Sequence, residues 1–426
     1  MKILVIGSGG REHAICRALL SGEKKPQLFI APGNPGTATC GTNIDIQASD
    51  LKALTTFASE NAIDLVVPGP ELTLVLGISD AMQEAGIPCC GPAKAPARLE
   101  GSKQFTRLVA DAVDAPSPKF AVCTNTQELE KAIANWDGIP VVKADGLASG
   151  KGVFLPSTRK ECLEEGLKLL AGSLGDAGKT VVLEERLEGV EVSLFYACSG
   201  TRAVALPHAR DHKRLLDDDR GPNTGGMGAI SPNPTMTPEL EEQILNETIL
   251  PTLRHLEASG APFKGFLFAG LMLTSDGPKL LEYNVRLGDP ETQAILPRLK
   301  DGDFLELCLR TATERLEGFH PSVDTRPTCT IVLAAHGYPE NPRKGDTMDI
   351  SPQLETADRW LIHAGTKTHD GSTLTNGGRV AAVVARGSSL SNARTIAYEG
   401  AHLVEFNGLQ IRRDIGATKS TEHTKI

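Results

Sequence analysis

The sequence predicts a multidomain protein of mixed α/β and α+β class, opening with a parallel α/β sheet and closing with a small β-rich domain. Three observations predict it. Apolar runs at residues 2–6, 28–31 and 64–68 each end in a loop of glycine, proline and polar residues, with helical stretches between them. After Pro116-Ser117-Pro118 the chain restarts as a separate lobe built around a glycine-rich turn that carries lysine. Alternating strand patterns then follow, among them a hairpin with an Asp-Gly turn at 271–284. A chain of 426 residues can bury several such cores.

Residues 2–6 read as a buried parallel strand, followed by Gly7-Ser8-Gly9-Gly10-Arg11-Glu12-His13, which opens a helix through Leu20. A helix N-terminus reached through glycines can receive an anion. Glu12 stands where the dinucleotide fingerprint needs its third glycine, which favours a phosphate or nucleotide-like substrate over NAD. The next strands end in Pro32-Gly33-Asn34-Pro35-Gly36-Thr37 and in Gly69-Pro70-Glu71. Open sheets bind ligands beyond the carboxyl ends of their strands. This first domain is expected to span 1–101.

The following lobe, about 119–188, contains the most informative stretch. A short apolar strand delivers Lys143, and the turn Gly146-Leu147-Ala148-Ser149-Gly150-Lys151-Gly152 delivers a second lysine. Bare amides approach polyphosphate oxygens closely, and lysines add charge. The spacing is not a Walker A loop, because three residues separate Gly146 from Gly150-Lys151 and Gly152 replaces the Ser/Thr. Helices at 127–136 and 158–170 and strands at 119–123 and 180–185 complete the lobe. Residues 188–198 and 203–206 read as antiparallel strands, 213–234 as a long loop, and 238–258 as one amphipathic helix. From 327 to 426 the last domain carries strands at 328–335 and 379–385 and a helix at 390–400.

In the second strand of the hairpin, side chains two apart share a face, so Glu282 and Asn284 point together and Tyr283 points away. Two oxygen donors on one face suit Mg²⁺, which takes few protein ligands beside water and phosphate. Arg286 follows directly. His208 and His212 have a spacing that zinc could use on a helix, but Pro207 and Lys213-Arg214 favour a loop around a phosphorylated substrate. No nucleophile–base pair is legible, so catalysis would rest on positioning and charge neutralisation.

The net charge of −9 argues against a general nucleic-acid or membrane-surface binder. Nine cysteines without a CxxC fit reduced thiols in a cytoplasmic protein, and no apolar run is long enough for a signal peptide or membrane span.

Read together, GSGGREHA at the start, APGNPGT at 31–37, VPGPE at 67–71, LEGSKQF at 99–105 and KADGLASGKGV at 143–153 resemble the ATP-grasp superfamily. With RDHKR at 210–214, GPNTGGMGA at 221–229, EYNVRLGDPETQ at 282–293, HAGT at 363–366, GGRV at 377–380 and RRDIG at 412–416, they resemble in particular its phosphoribosylamine–glycine ligase family. The resemblance implies a two-lobed ATP-grasp core at 102–326 with a mobile lid, between the N-terminal and C-terminal domains. It implies ATP-dependent ligation of glycine to 5-phosphoribosylamine through glycyl phosphate in purine biosynthesis, with Mg²⁺ or Mn²⁺, in a monomer or weak homodimer. By motif, Lys103, Lys143, Gly150, Lys151 and Gly152 would face ATP phosphates, and Glu184, Glu185 and Leu187 the adenine and ribose. Glu282 and Asn284 would hold metal, Arg286 would stabilise the acyl-phosphate step, and Lys143 and Asp211 would be the other catalytic residues. Gly9, Gly10, Asn34, Gly36 and Thr37 would cradle phosphoribosylamine, with Asp211 and Lys213 near the joined substrates. Many relatives carry Lys where this chain has Arg107, and Phe where it has Tyr283 and Leu287. The rival readings are another ATP-grasp carboxylate–amine ligase and a nucleotide-binding regulator without turnover.

Overall fold

The computed structural model describes residues 1–148 and 152–417. Its first region comprises β1 (Lys2–Gly7), α1 (Gly10–Leu19), β2 (Gln27–Pro32), β3 (Thr42–Asn43), α2 (Leu51–Glu60), β4 (Leu65–Pro68), α3 (Glu71–Leu76), α4 (Ile78–Glu84) and α5 (Lys94–Gly101). The strands form a parallel sheet in the order β3-β2-β1-β4. Alternation along β1 serves two cores. Leu4 and Ile6 pack with Leu54 and Met82 on one face, while Ile3 and Val5 pack with Ile15 and Leu19 on the other. Gly7 pairs with Pro32 and Ile6 with Pro68, so all three loops emerge at one edge of the sheet.

The next elements are α6 (Lys103–Ala112), β5 (Phe120–Cys123), α7 (Thr126–Ala134), β6 (Val141–Ala144), β7 (Val153–Phe154), α8 (Arg159–Leu170) and β8 (Val181–Glu184). Strands β5-β8-β6-β7 pair antiparallel and share a small core with α7 and α8 through Leu129, Ile133, Cys162 and Leu169.

The chain continues through β9 (Val190–Ser199), β10 (Arg202–Ala205), β11 (Arg210–Asp211), β12 (Arg214–Leu216), β13 (Arg220–Asn223) and β14 (Gly228–Ser231). Then come α9 (Pro238–Ile244), α10 (Leu250–Ala258), β15 (Lys264–Thr274), β16 (Gly277–Asn284), α11 (Glu291–Ile295) and α12 (Asp303–Ala312). Strands β10-β9-β15-β16 form an antiparallel sheet with β16 at its edge. The single helix expected over 238–258 is divided by a widened turn at Leu245–Ile249, beside Pro251, which has no N–H to donate.

The last region holds β17 (Thr328–Ala334), β18 (Asp349–Ile350), β19 (Arg359–His363), β20 (Thr366–His369), β21 (Ser372–Thr375), β22 (Arg379–Arg386) and α13 (Leu390–Ala401). Its main sheet has the order β11-β14-β17-β22-β19, so two of its strands come from residues 210–231. That stretch is therefore not one long loop: β14, buried throughout, pairs with β17 about a hundred residues later. The glycine-rich composition hid a strand whose partner is distant. All nine cysteines are free thiols, and all but Cys40 are buried. Among the described residues no helix is long and apolar enough to cross a membrane.

Candidate active site

Lys143 occupies the third position of β6, and Glu184 ends the neighbouring β8. Val141, not Lys143, lies directly opposite Glu184, which makes Lys143 and Glu184 diagonal neighbours on one face. Their side chains meet at 2.6 Å between Lys143 Nζ and Glu184 Oε2, with both nearly buried. Lys103 opens α6, whose N-cap Ser102 accepts from the Phe105 amide and donates to Asp145 Oδ1 at 2.9 Å. The Gln104 amide also donates to Asp145 Oδ1, at 2.7 Å, so the helix start is fixed to the end of β6. Burial lowers the Lys103 pKa despite the nearby Glu282 carboxylate.

In the larger antiparallel sheet, β16 contains a bulge. Glu282 pairs with Gly270 but Leu280 with Leu271, leaving Leu281 as the extra residue. The shift lets Leu280 and Tyr283, of opposite parity, both enter the core, while Glu282 and Asn284 face away from Tyr283. The Tyr283 hydroxyl lies 2.9 Å from Thr252 Oγ1, on the buried side. Burial would raise the Glu282 carboxyl, but Lys213, Lys143, Lys103 and Arg286 together hold it below the usual carboxylate range. The two lysine-bearing segments and the hairpin thus share one electrostatic field. Among the described residues no cation lies within 4.0 Å of Glu282 as an ion-pair partner. An ionised carboxylate beside a carboxamide oxygen fits a hard divalent cation completed by phosphate and water.

Arg286 Nη2 lies 2.7 Å from Glu100 Oε1 and donates to Asn284 Oδ1 at 3.0 Å, and its Nε lies 3.4 Å from Glu71 Oε2. Glu100, also accepting from the Val285 amide, is pushed up to about 7 by burial against the opposing pull of Arg286. Neither Glu71 nor Glu100 was singled out from the sequence, although both stand inside the motifs VPGPE and LEGSKQF. Glu191, Asp289, Glu291 and Arg379 are further residues that sequence reasoning missed. Lys213 pairs with Glu191 at 2.8 Å, and that pairing raises its pKa. Asp211 and Glu291 are both raised, chiefly by burial, and Glu291 further raises Asp211. Arg379 holds Asp289 at 3.2 Å.

The N-terminal loops reach the same region. A side chain placed on Gly10 would strike Gln293, and one on Gly9 would stand 3.5 Å from Asp289. Glu12 folds back to accept from the Gly9 amide at 2.5 Å and pairs with Arg11 at 2.7 Å. Its carboxyl fills the space over Gly7, Gly9 and Gly69, where a dinucleotide pyrophosphate would otherwise approach. Asn34 and Thr37 are buried and committed to the loop itself. Asn34 Oδ1 accepts from the Gly36 and Thr37 amides, and its Nδ2 donates to the Ser8 and His363 carbonyls. Beside Gly36 lies a cavity of about 270 Å³ lined by His13, Arg17, Thr39, Glu355 and His363 among others.

Glu185 and Leu187 are half-buried just beyond β8, and Glu185 Oε2 accepts from the Lys119 amide at 3.2 Å. Gly152 packs against Ala148 and Ala144. Gly150 and Lys151 lie outside the described residues. The zinc possibility at His208 and His212 is set aside, because neither histidine lies on a helix and each is engaged separately. His208 accepts from the Asn233 amide and faces Glu241, while His212 is buried against the Gly228 carbonyl.

Lys143 on a small antiparallel sheet and Lys103 at a helix start, acting on one carboxylate-bearing hairpin, define an ATP-grasp enzyme, an ATP-dependent ligase of a class that uses a divalent metal. Comparison with known proteins agrees. The phosphoribosylglycinamide synthetase N domain matches residues 1–100, its ATP-grasp (A) domain 101–292, and its C domain 328–418. Phosphoribosylamine–glycine ligases of Vibrio parahaemolyticus and Brucella melitensis are each 45% identical, covering 98% of this chain and 98% and 97% of theirs. The crystal structure of the Thermotoga maritima phosphoribosylamine–glycine ligase superposes with a TM-score of 0.86 at 36% identity, over 97% of this chain and 100% of that one. The biotin carboxylase domain of Hydrogenobacter thermophilus 2-oxoglutarate carboxylase shares the fold, with a TM-score of 0.75 at 14% identity, over 96% of this chain and 91% of that one. The chain belongs to the phosphoribosylglycinamide synthetase family.

Proposed function

We propose that this protein joins glycine to 5-phosphoribosylamine, consuming ATP and releasing glycinamide ribonucleotide, ADP and phosphate, in purine biosynthesis. The observation that carries the reading is the ionised Glu282 carboxylate, set in the field of Lys213, Lys143, Lys103 and Arg286 without an ion-pair partner among the described residues. A glycine carboxylate oxygen attacks the γ-phosphorus, the bond to the bridging oxygen breaks, and ADP leaves. The phosphoribosylamine nitrogen then attacks the carbonyl carbon of glycyl phosphate, phosphate departs, and the amine loses a proton.

Charge on the transferring group dominates this chemistry, so cations and positioning set the rate. Lys103 and Lys143 bind the ATP phosphates, and by motif Gly150, Lys151 and Gly152 are assigned to the same phosphates. Arg286, held by Glu100 and Glu71, stabilises the acyl-phosphate step. Glu282 and Asn284 would hold Mg²⁺ or Mn²⁺, which supplies charge neutralisation at phosphate oxygens when bound. Glu185 and Leu187 receive the adenine and ribose, while Glu184 holds Lys143. Gly9, Gly10 and Gly36 give phosphoribosylamine room by their lack of side chains, on a loop stiffened by Asn34 and Thr37. Asp211 takes the amine proton beside Lys213. Nine free thiols support a cytoplasmic setting.

The test is ADP release with each substrate omitted in turn. Release should require ATP, divalent metal, glycine and phosphoribosylamine together. Turnover with bicarbonate or another amino acid in place of glycine would indicate a different carboxylate–amine ligase. Nucleotide binding without turnover would indicate a regulator.

A further inference from the structure

Arg107 lies one helical turn beyond Lys103 on α6 and is 1% exposed. Its guanidinium reaches four acceptors on two distant elements. Nε lies 2.8 Å from Glu184 Oε1 and Nη2 lies 3.4 Å from Glu184 Oε2. Nη1 donates to the Leu280 carbonyl at 2.8 Å, and Nη2 donates to the carbonyl of Leu281. Leu281 is the bulged residue of β16, immediately before Glu282. The other side of the Glu184 carboxylate holds Lys143 at 2.6 Å. One buried side chain therefore ties the phosphate-facing lysine of the small sheet to the bulge that aims Glu282.

We propose that Arg107 is a positioning residue for the ATP phosphates, acting through Glu184 on Lys143 and through the Leu280 and Leu281 carbonyls on Glu282. A buried Lys143–Glu184 pair alone is neutral and offers a phosphate little field. Adding Arg107 leaves the trio with one net positive charge, so Lys143 stays oriented without being neutralised. In this chain a planar fork with five donors serves both a carboxylate and two carbonyls from one centre, whereas a lysine in the same surroundings brings three donors on one point.

The role rests on the ATP-dependent reading above, but it is testable by binding alone. Calorimetric titration with ATP and Mg²⁺ is run on wild type, Arg107→Lys, Lys143→Met and the double variant, with thermal unfolding of each as a check on folding. Arg107→Lys keeps the charge and loses the fork. It is expected to weaken ATP binding about tenfold and to slow ADP release at saturating ATP, while the double variant loses clearly less than the two single losses combined, because only the route through Glu184 runs by way of Lys143. Additive losses, or unchanged affinity and turnover in Arg107→Lys, would overturn the proposal. Should Arg107→Lys unfold, Glu184→Gln in the same cycle decides, with the same non-additivity expected. If wild type binds ATP but never turns over glycine and phosphoribosylamine, the ligase reading fails while the affinity cycle still judges Arg107.

Discussion

Glu282 illustrates how a single residue acquires its chemistry from its neighbours. Buried on its own, a carboxylate would take a proton; here four cations from four stretches of chain keep it ionised. Glu282→Ala should therefore abolish the metal-dependent step while leaving the fold intact. The expected loss is about 10²–10³ in rate, the usual cost of removing one group that stabilises a transferring phosphoryl charge. Steady-state ADP release against Mg²⁺ concentration reads it out, and full activity at saturating Mg²⁺ would contradict the assignment. Glu282, Asn284, Arg286, Lys103 and Lys143 were legible as candidates because each stands in a motif of distinctive composition. Glu71, Glu100 and Arg107 were not, since their role lies in partners far along the chain. Glu100 meets the Val285 amide 185 residues away, and Arg107 meets the Leu280 carbonyl 173 residues away.

At the scale of elements, α1 and β16 each depart from the simplest reading in an instructive way. The glycines before α1 suggested an open anion site, yet Glu12 caps the Gly9 amide and pairs with Arg11 over the same space. Removing it leaves buried Arg11 with Glu71, 3.9 Å away, as its remaining ion-pair partner among the described residues. Glu12→Ala should cost roughly 3 kcal/mol, as expected for breaking a buried pair from one side. Urea unfolding midpoints measure it, and a change below about 0.5 kcal/mol would show that the pair is dispensable. In β16 the hairpin and its Asp276-Gly277 turn were readable from local residues, and so was the shared face of Glu282 and Asn284. The bulge at Leu281 was not, because it is defined by register against β15 rather than by composition.

For the molecule as a whole, buried titratable groups make stability depend on pH in two opposing directions. Burial, reinforced by Arg210 and Arg412, lowers His212 to about 4, against about 6.5 in an unfolded chain. Between those values the unfolded state binds a proton that the native imidazole refuses, so stability falls as pH drops below 6.5. The contribution is about 2 kcal/mol at pH 5. Glu100, raised to about 7, works in reverse: the native state binds the extra proton, and stability rises as pH falls through 7. Relative to wild type, His212→Gln should therefore flatten the acid loss of stability and Glu100→Gln should steepen it. Unfolding midpoints at pH 7.5 and 5 compare the two, and profiles parallel to wild type would refute both assignments.

By itself the sequence determined the local pieces: the parallel N-terminal strands with their loops at one edge, the lysine on a short strand, the hairpin with its two oxygen donors, and enough ordered motifs to mark the family. These follow from periodicity and turn chemistry, which act over a few residues. Tertiary structure alone decided that β11 and β14 complete a sheet with strands beyond residue 327, and that Arg286 is held between two carboxylates of the first region. It likewise decided that Arg107 bridges Glu184 to the bulge. Strand pairing and buried ion pairs depend on which distant surfaces meet once their apolar faces are covered, and a linear pattern does not encode that meeting residue by residue.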